Sequence, residues 1–256
     1  MKRSTGSVVT IGTYDGVHRG HQRLIGEARS DADRLGLRSV VVTFDRHPSQ
    51  TVRPNAAPRL ITDLEFKLEL IEAIGVDEVV VLRFDRERAN ETPEQFVEDL
   101  VTDLEAVVVV VGENFRFGHD HRGDVALLER LGGDLGFSAR GLSLVTDEAS
   151  QVVVSSKVIR EMIANGALTE VHRFLGRPFE LRGTWSSGGV IVVSDDLCRP
   201  VEGKYGVAIR RPGADPSLVE VEAVVAADGT VTVPTDAVPV GTDEGDVVGV
   251  CFVDPD

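Results

Sequence analysis

Apolar residues follow one pattern in the first 178 residues of this chain and a different one in the rest. In the first part, short β-branched runs alternate with segments whose apolar side chains recur every three or four positions, which predicts alternating strands and helices. The predicted strands are residues 8–11, 39–44, 78–82 and 106–111, and the predicted helices are residues 21–35, 62–74, 92–100, 125–135, 155–165 and 168–175. This order predicts a doubly wound α/β domain with a parallel sheet, which binds its ligand at the carboxyl ends of the strands.

From about residue 179 the apolar runs become short and β-branched, and Gly, Pro and Asp residues separate them. This spacing is typical of a small antiparallel β-barrel. The predicted strands of this part are residues 181–185, 190–193, 204–210, 218–226, 230–233 and 247–253. We therefore expect two domains, residues 1–178 and residues 179–256.

Local sequence signals add detail to the first domain. Two helices begin with capping boxes, Thr62 with Glu65 and Thr92 with Gln95. Residues 46–60 are rich in proline and predict a loop. Residues 137–145 predict either a short strand pair or one strand with an irregular edge.

The first strand leads directly into candidate chemistry. A turn containing Asp15 connects it to the first helix, and glycines lie before, within and after that turn, at Gly12, Gly16 and Gly20. Unpaired N–H groups at a helix N-terminus attract anions, and glycines let the backbone approach a ligand closely. His18 and His21 share one helix face and can donate to phosphoryl oxygens. The stretch predicts a phosphate site, against the alternatives of two surface histidines or a chance pair at zinc-ligand spacing.

Composition narrows the class of protein. A formal net charge of -15 and a pI of about 4.8 argue against nucleic-acid binding through a broad basic surface. Ser, Thr and Gly follow the basic N-terminal residues where a signal peptide would be apolar, and no apolar run reaches the roughly 20 residues that cross a bilayer. We expect a cytoplasmic protein without nucleic-acid or membrane partners, whose Cys198 and Cys251 are reduced thiols.

The motifs resemble those of a known family. Residues 12–21, GTYDGVHRGH, resemble the His-x-Gly-His signature of the nucleotidyltransferase superfamily, which has a Rossmann-like sheet. Three further stretches are TFDRHP at 43–48, VGENFRFG at 111–118 and VSSKVIR at 154–160. With these, the first 178 residues resemble the FAD synthetase module of prokaryotic bifunctional riboflavin kinase/FAD synthetases.

The resemblance implies a reaction and a set of site residues. It implies transfer of AMP from ATP to FMN, giving FAD and pyrophosphate, with Mg²⁺ held largely by triphosphate oxygens and water. Catalytic roles fall on His18, His21 and Arg160. Nucleotide contacts fall on Gly12, Thr13, Tyr14, Asp15, Gly16, Gly20, His47, Ser155, Ser156 and Lys157. Contacts to the flavin or another acceptor fall on Phe44, Arg46, Pro48, Asn114, Phe115, Arg116, Phe117 and Gly118. No protein metal ligand is implied.

Each candidate also has a structural alternative. Phe115 and Phe117 offer flat apolar surface to an isoalloxazine or adenine ring, but they could also pack their loop onto the core. His47, between a strand end and a proline, could be purely structural. His119 and His121 lack further ligands at metal-binding spacing, so we expect them to be solvated.

The sequence departs from the family at several positions. The family usually has Asn where this chain has Thr13, Phe where it has Tyr14, Pro where it has Arg46 and Thr where it has Lys157. The tail lacks the Pro-Thr-Ala-Asn turn of the riboflavin kinase module, so we expect a kinase-like barrel without kinase activity. Two alternatives stay open: a relative that joins AMP or CMP to another phosphorylated acceptor, and a flavin- or nucleotide-binding regulator without turnover. The sequence does not predict an oligomeric state.

Overall fold

The computed structural model describes residues 6–214 and 220–253. Their backbone forms two compact units. The first unit contains residues 6–58 and 67–153, and the second contains residues 59–66 and 154–253. Within the described residues, no helix combines the length and the apolar character that a membrane crossing requires.

The first unit is built on a parallel sheet. Its strands are β1 (Ser7–Ile11), β2 (Arg38–Phe44), β3 (Glu78–Leu82), β4 (Ala106–Gly112) and β5 (Ser138–Leu142), in the spatial order β3-β2-β1-β4-β5. Its helices are α1 (Arg19–Leu35), α2 (Pro48–Val52), α4 (Arg86–Ala89), α5 (Pro93–Leu104) and α6 (Val125–Leu135). Helix α3 (Leu64–Glu72) begins in the second unit and ends in the first. The chain moves to one side of β1 through β2 and β3 and to the other through β4 and β5, which confirms the doubly wound prediction.

Burial explains the central strands. All five residues of β1 are buried, because helices cover both faces of the sheet, and α1 contributes Ile25, Ala28 and Ala32 to that cover. Helix α1 ends where Gly36 adopts a left-handed conformation, with φ 69°.

Local predictions fail at two places. The predicted loop over residues 46–60 contains α2, because His47 and Gln50 form a capping box that starts a short helix. The helix predicted from Thr62 begins at Leu64, and Asp63 accepts the cap hydrogen bond from the N–H of Phe66 at 2.8 Å. Of the two alternatives for residues 137–145, the structure has a single strand, β5. The capping box at Thr92 is confirmed, and α5 extends four residues beyond its predicted end, to Leu104.

The second unit combines two helices with a barrel. The helices are α7 (Ser156–Ala164) and α8 (Leu168–Leu175), and the strands are β6 (Glu180–Ser186), β7 (Val190–Val193), β8 (Gly203–Arg210), β9 (Glu220–Val225), β10 (Val231–Thr232) and β11 (Val247–Phe252). These strands close in the order β10-β7-β6-β11-β8-β9, with antiparallel pairing throughout. The barrel prediction is confirmed, and the first two residues of the strand predicted at 218–226 lie outside the described part of the chain. Trp185, on β6, pairs with Ile191.

A buried ionic cluster lies inside the second unit. Glu180 accepts from Arg182 Nε at 3.1 Å and pairs with Arg210 Nη2 at 2.7 Å, and the side chains of Glu180 and Arg182 are nearly inaccessible. The Arg182 guanidinium lies 4.2 Å from the ring centroid of Phe66. Burial, and then the negative charge of Glu180, raises the pKa of the Cys251 thiol to about 12. Within this unit, the Glu180 carboxylate pairs with both guanidinium groups, and the guanidinium of Arg182 also contacts the Phe66 ring.

The division into compact units does not follow the change in sequence pattern. Helices α7 and α8 group with the barrel, together with residues 59–66. The boundary between residues 178 and 179 follows the change from helical to strand-forming sequence, and it stays a prediction.

Candidate active site

The loop between β1 and α1 fixes both histidines of the motif. His18 is the N-cap of α1, and its Nδ1 accepts a hydrogen bond from the His21 N–H at 3.3 Å. The two rings stack at a centroid distance of 3.5 Å with an interplanar angle of 18°. Since Nδ1 of His18 is an acceptor, the proton of the neutral ring is on Nε2, which can donate to an oxyanion.

Tyr14 supports this pair from within the core. Its side chain is 1% exposed, its hydroxyl lies 2.8 Å from Thr10 Oγ1, and its ring meets that of His21 edge-on at 5.2 Å. Burial raises the pKa of Tyr14, so the phenol stays protonated. A Cβ atom at position 12 would lie 3.0 Å from the Tyr14 ring, so any larger residue there would push the ring by a few tenths of an ångström. Tyr14 therefore orients His21 rather than presenting its own ring to solvent.

The same loop carries an unusual backbone conformation. Tyr14 (φ 50°), Gly16 (φ 80°) and Val17 (φ 39°) all have positive φ angles. Gln22 Nε2 donates to the Val17 carbonyl at 2.8 Å and so holds the turn against α1. Non-glycine residues in this region are strained, and such strain concentrates at functional loops.

The segment after β2 forms a second ordered loop. Asp45 Oδ1 accepts from the Phe84 N–H at 2.8 Å, and its Oδ2 accepts from Arg46 Nη2 at 3.0 Å. The pKa of Asp45 is lowered, because these hydrogen bonds outweigh the effect of burial. His47 Nδ1 accepts from the Ser49 N–H at 3.2 Å, and Pro48 opens α2. His47 therefore caps α2, which is a structural role. Arg46 forms an ion pair with Asp45.

Lys67, on α3, belongs to none of the motifs in the sequence. Its side chain is 7% exposed in total, and Nζ donates to the Phe44 carbonyl at 2.8 Å and to the Thr13 carbonyl at 3.3 Å. Burial lowers the pKa of Lys67 to about 8, although the negative charges of Asp15 and Asp45 oppose the shift. Its burial could have been predicted from its position: Phe66 and Ile71 on the same helix are core residues, and a lysine among them is unusual.

The loop after β4 combines a core anchor with an exposed tip. Phe117 is buried and stacks on Phe115 at 5.4 Å, while Asn114 and Arg116 are exposed. Paired backbone hydrogen bonds between Phe117 and Gly123, at 3.1 and 2.9 Å, close the loop. The packing alternative therefore holds for Phe117, and the half-buried Phe115 keeps part of its ring accessible.

Gly118 in this loop has φ 70°, and a Cβ atom there would lie 2.6 Å from Pro93. His119 Nδ1 lies 3.2 Å from the Ala89 carbonyl, and the side chain is partly exposed. In residues 6–214 and 220–253, no three His, Cys, Asp or Glu side chains group in a way that could hold a metal ion.

The structure places the other predicted phosphate contacts in the second unit. Ser155 is the N-cap of α7, and its Oγ accepts from the Val158 N–H at 3.4 Å. Lys157, in the first turn, is exposed, and Ser156 and Arg160 are half-buried. Within the first unit, the three predicted loops follow β1, β2 and β4, which are neighbours in the middle of the sheet. His18, His21 and the segments around Phe44 and Asn114 therefore belong to one edge of that sheet.

Comparison with known proteins agrees with this arrangement. The FAD synthetase family model matches residues 1–157. The bifunctional riboflavin kinase/FMN adenylyltransferase of Escherichia coli K12 is 32% identical over 228 residues, which cover 82% of this chain and 70% of that protein. The protein of the same name from Listeria monocytogenes is 33% identical over 223 residues, covering 80% of this chain and 68% of that protein.

A solved structure extends the comparison to the fold. The crystal structure of a macrolide-efflux protein from Streptococcus pneumoniae matches with a TM-score of 0.81 and 25% sequence identity, covering 98% of this chain and 85% of that one. The matched family model covers most of the first unit and the start of α7, and includes every predicted site residue except Arg160. This chain belongs to the FAD synthetase family.

Proposed function

We propose that this protein transfers AMP from ATP to FMN, giving FAD and pyrophosphate. The observation that carries the proposal is the His18–His21 pair at the start of α1, stacked and with the ring of His18 fixed as an Nε2 donor. An oxygen of the FMN phosphate attacks the α-phosphorus, and the bond to the pyrophosphate oxygen breaks. This reaction needs alignment and charge stabilisation, and no covalent enzyme intermediate.

The residues take distinct roles in this proposal. His18 and His21 donate hydrogen bonds to phosphoryl oxygens as negative charge develops in the transition state. The start of α7, with Ser155, Ser156, Lys157 and Arg160, binds the outer phosphate groups through hydroxyl, N–H and guanidinium donors. Asn114 and the exposed part of Phe115 contact the nucleotide or the flavin.

Magnesium fits this site as part of the substrate. Mg²⁺ usually takes phosphate oxygens and water as ligands, so it would arrive bound to the triphosphate and would neutralise charge on the leaving group. The negative charges of Asp15 and Asp45, in the first unit, favour the charged form of Lys67.

The experiment is direct. Purified protein is incubated with Mg²⁺, FMN and each nucleoside triphosphate in turn, and pyrophosphate release and flavin products are measured by coupled assay and chromatography. We expect FAD from ATP with stoichiometric pyrophosphate. Transfer from CTP, or pyrophosphate release only with another phosphorylated acceptor, would favour the repurposed relative. Binding of FMN and ATP without product would favour the regulator.

A further inference from the structure

Lys67 is a buried cation that the proposed reaction does not yet use. Its Nζ bridges two backbone carbonyls, those of Thr13 and Phe44, which belong to the loops after β1 and β2. Thr43 Oγ1 donates to the same Thr13 carbonyl at 3.3 Å. The lysine therefore ties together two loops at the carboxyl edge of the sheet, where a doubly wound domain binds its ligand.

The charges around Lys67 do not neutralise it by direct contact. Asp15, from the β1–α1 loop, and Asp45, from the end of β2, are the charged groups that raise its proton affinity. Asp45 is itself engaged by Arg46 and by the Phe84 N–H. The hydrogen-bond partners of Nζ are the carbonyl oxygens of Thr13 and Phe44, which a neutral donor could satisfy equally well. Burying an ammonium in such surroundings costs free energy, which an anionic ligand nearby would offset.

We propose that Lys67 is a positioning residue for the triphosphate: it holds the two loops in register, and its positive charge stabilises the bound phosphate groups. The inference rests on the proposed function, because it assumes a triphosphate at this edge of the sheet. It differs from a purely structural role, since a structural crosslink would be indifferent to whether the phosphates are bound.

The proposal has a signature in pH. The free protein has a Lys67 pKa of about 8, so the side chain is mostly protonated at pH 7, half protonated at pH 8 and mostly neutral above pH 9. By linkage, a triphosphate that is stabilised by the ammonium must raise this pKa, and the total loss of its affinity at high pH equals the shift, about tenfold for a rise of one unit. A lysine that only links carbonyls would titrate identically with and without ligand.

Two measurements test this. The chain contains four lysines, at positions 2, 67, 157 and 204, so ¹³C-labelled lysine gives a simple spectrum in which the Lys67 side chain is assigned from a Lys67→Arg variant. The lysine signals are titrated from pH 6 to 10 in the free protein and with saturating ATP or inorganic tripolyphosphate. The Kd of each ligand is measured over the same range by calorimetry, without FMN and therefore without turnover.

We expect the Lys67 pKa to rise by about one unit on ligand binding and wild-type affinity to fall above pH 8. Lys67→Arg should keep the affinity at pH 7 and lose the decline above pH 8, because guanidinium does not titrate there. Lys67→Met should bind weakly at every pH. Lys204→Met, which removes an exposed lysine of the barrel, is the matched control and should behave as wild type.

The outcomes separate the two proposals. A Lys67 titration that is unchanged by ligand, or a wild-type affinity that is flat to pH 10, overturns the role of Lys67 even if Lys67→Met fails to fold. Binding of the triphosphate with the expected pH dependence but without FAD formation refutes the transfer and leaves the positioning role standing. Failure of wild type to bind either triphosphate refutes both.

Discussion

The two units of this protein differ in where they place strained backbone and unbalanced charge. Among the described residues, those with positive φ that are not glycine all lie in the first unit, and the positive-φ residues of the second unit are glycines. The buried cation of the first unit, Lys67, has backbone carbonyls as its hydrogen-bond partners. In the second unit, Glu180 lies between Arg182 and Arg210 in direct ion pairs.

This difference between the units indicates which of them binds ligands. Strain and uncompensated charge persist only where the surrounding structure holds them, and they concentrate at sites that act on ligands. The loop of Tyr14 and Val17 has strained backbone, and the neighbouring Thr13 carbonyl accepts from Lys67. In the barrel, by contrast, the Glu180 carboxylate pairs directly with two arginines, and the residues with positive φ are glycines. We therefore expect the chemistry to depend on the loops of the first unit and expect no catalytic role for the barrel. The predictions below test this difference.

The largest expected effect is a complete one: the protein should not phosphorylate riboflavin. A kinase must bring metal, γ-phosphate and the substrate hydroxyl together, and residues 179–256 lack the Pro-Thr-Ala-Asn turn with which the related module does so. Riboflavin with ATP and Mg²⁺ should give no FMN by chromatography, while FMN under the same conditions gives FAD. FMN formation at a rate typical of kinases would contradict the prediction that the barrel has no kinase activity.

Removing the central carboxylate of the barrel should destabilise the second unit strongly. Glu180→Ala leaves Arg182 and Arg210 buried without their partner, which costs about 3–5 kcal/mol. Urea unfolding followed by the emission of Trp185, on β6 of the same unit, measures the loss. Glu222→Ala removes an exposed partner of Lys204 and should cost no more than about 1 kcal/mol. Equal effects of the two substitutions would show that the buried cluster is not what stabilises the barrel.

In the first unit, substitution of a motif histidine should lower the rate of catalysis and leave stability nearly unchanged. His21→Ala should lower kcat by on the order of 10²-fold or more, as loss of a transition-state donor does, with little change in the free energy of unfolding. Steady-state FAD formation and thermal unfolding are measured together. His119→Ala, a partly exposed histidine of the same unit, is the control and should keep the wild-type rate. A normal rate in His21→Ala would remove this residue from the mechanism.

The smallest effect is expected at the surface of α7. Lys157 is exposed in the first turn of that helix, so Lys157→Thr should weaken ATP binding about two- to fivefold at low salt and leave the chemical step unchanged. Repeating the titration at 1 M salt should remove the difference, because screening is then nearly complete. If the affinity at low salt does not change, Lys157 is a solvated side chain without a role.

Sequence periodicity predicted most of the fold because buried strands and amphipathic helices carry strong patterns. The apolar run of β4 and the alternating barrel strands are examples. Caps were harder, since Thr62 and Asp63 are both good N-caps and tertiary packing decides between them. Helix α2 was missed because proline at its first position also suggests a loop.

The site could be predicted only in part, for a physical reason. His18 and His21 carry a motif, so their positions follow from the sequence. The bridge of Lys67 between the carbonyls of Thr13 and Phe44 depends on residues that are far apart in the chain, and no motif marks the lysine. Whether Phe117 faces ligand or core was likewise decided by Gly123 and Phe96, which pack against its ring.

The position of Trp185 on β6 gives the molecule a built-in optical probe. It is the sole tryptophan of the sequence, and it belongs to the second unit, so tryptophan emission follows the barrel alone. Far-ultraviolet ellipticity, by contrast, is dominated by helices, which are concentrated in the first unit. Coincident transitions by the two signals during denaturation would mean that the units melt as one cooperative block, and separated transitions would give the stability of each without cutting the chain.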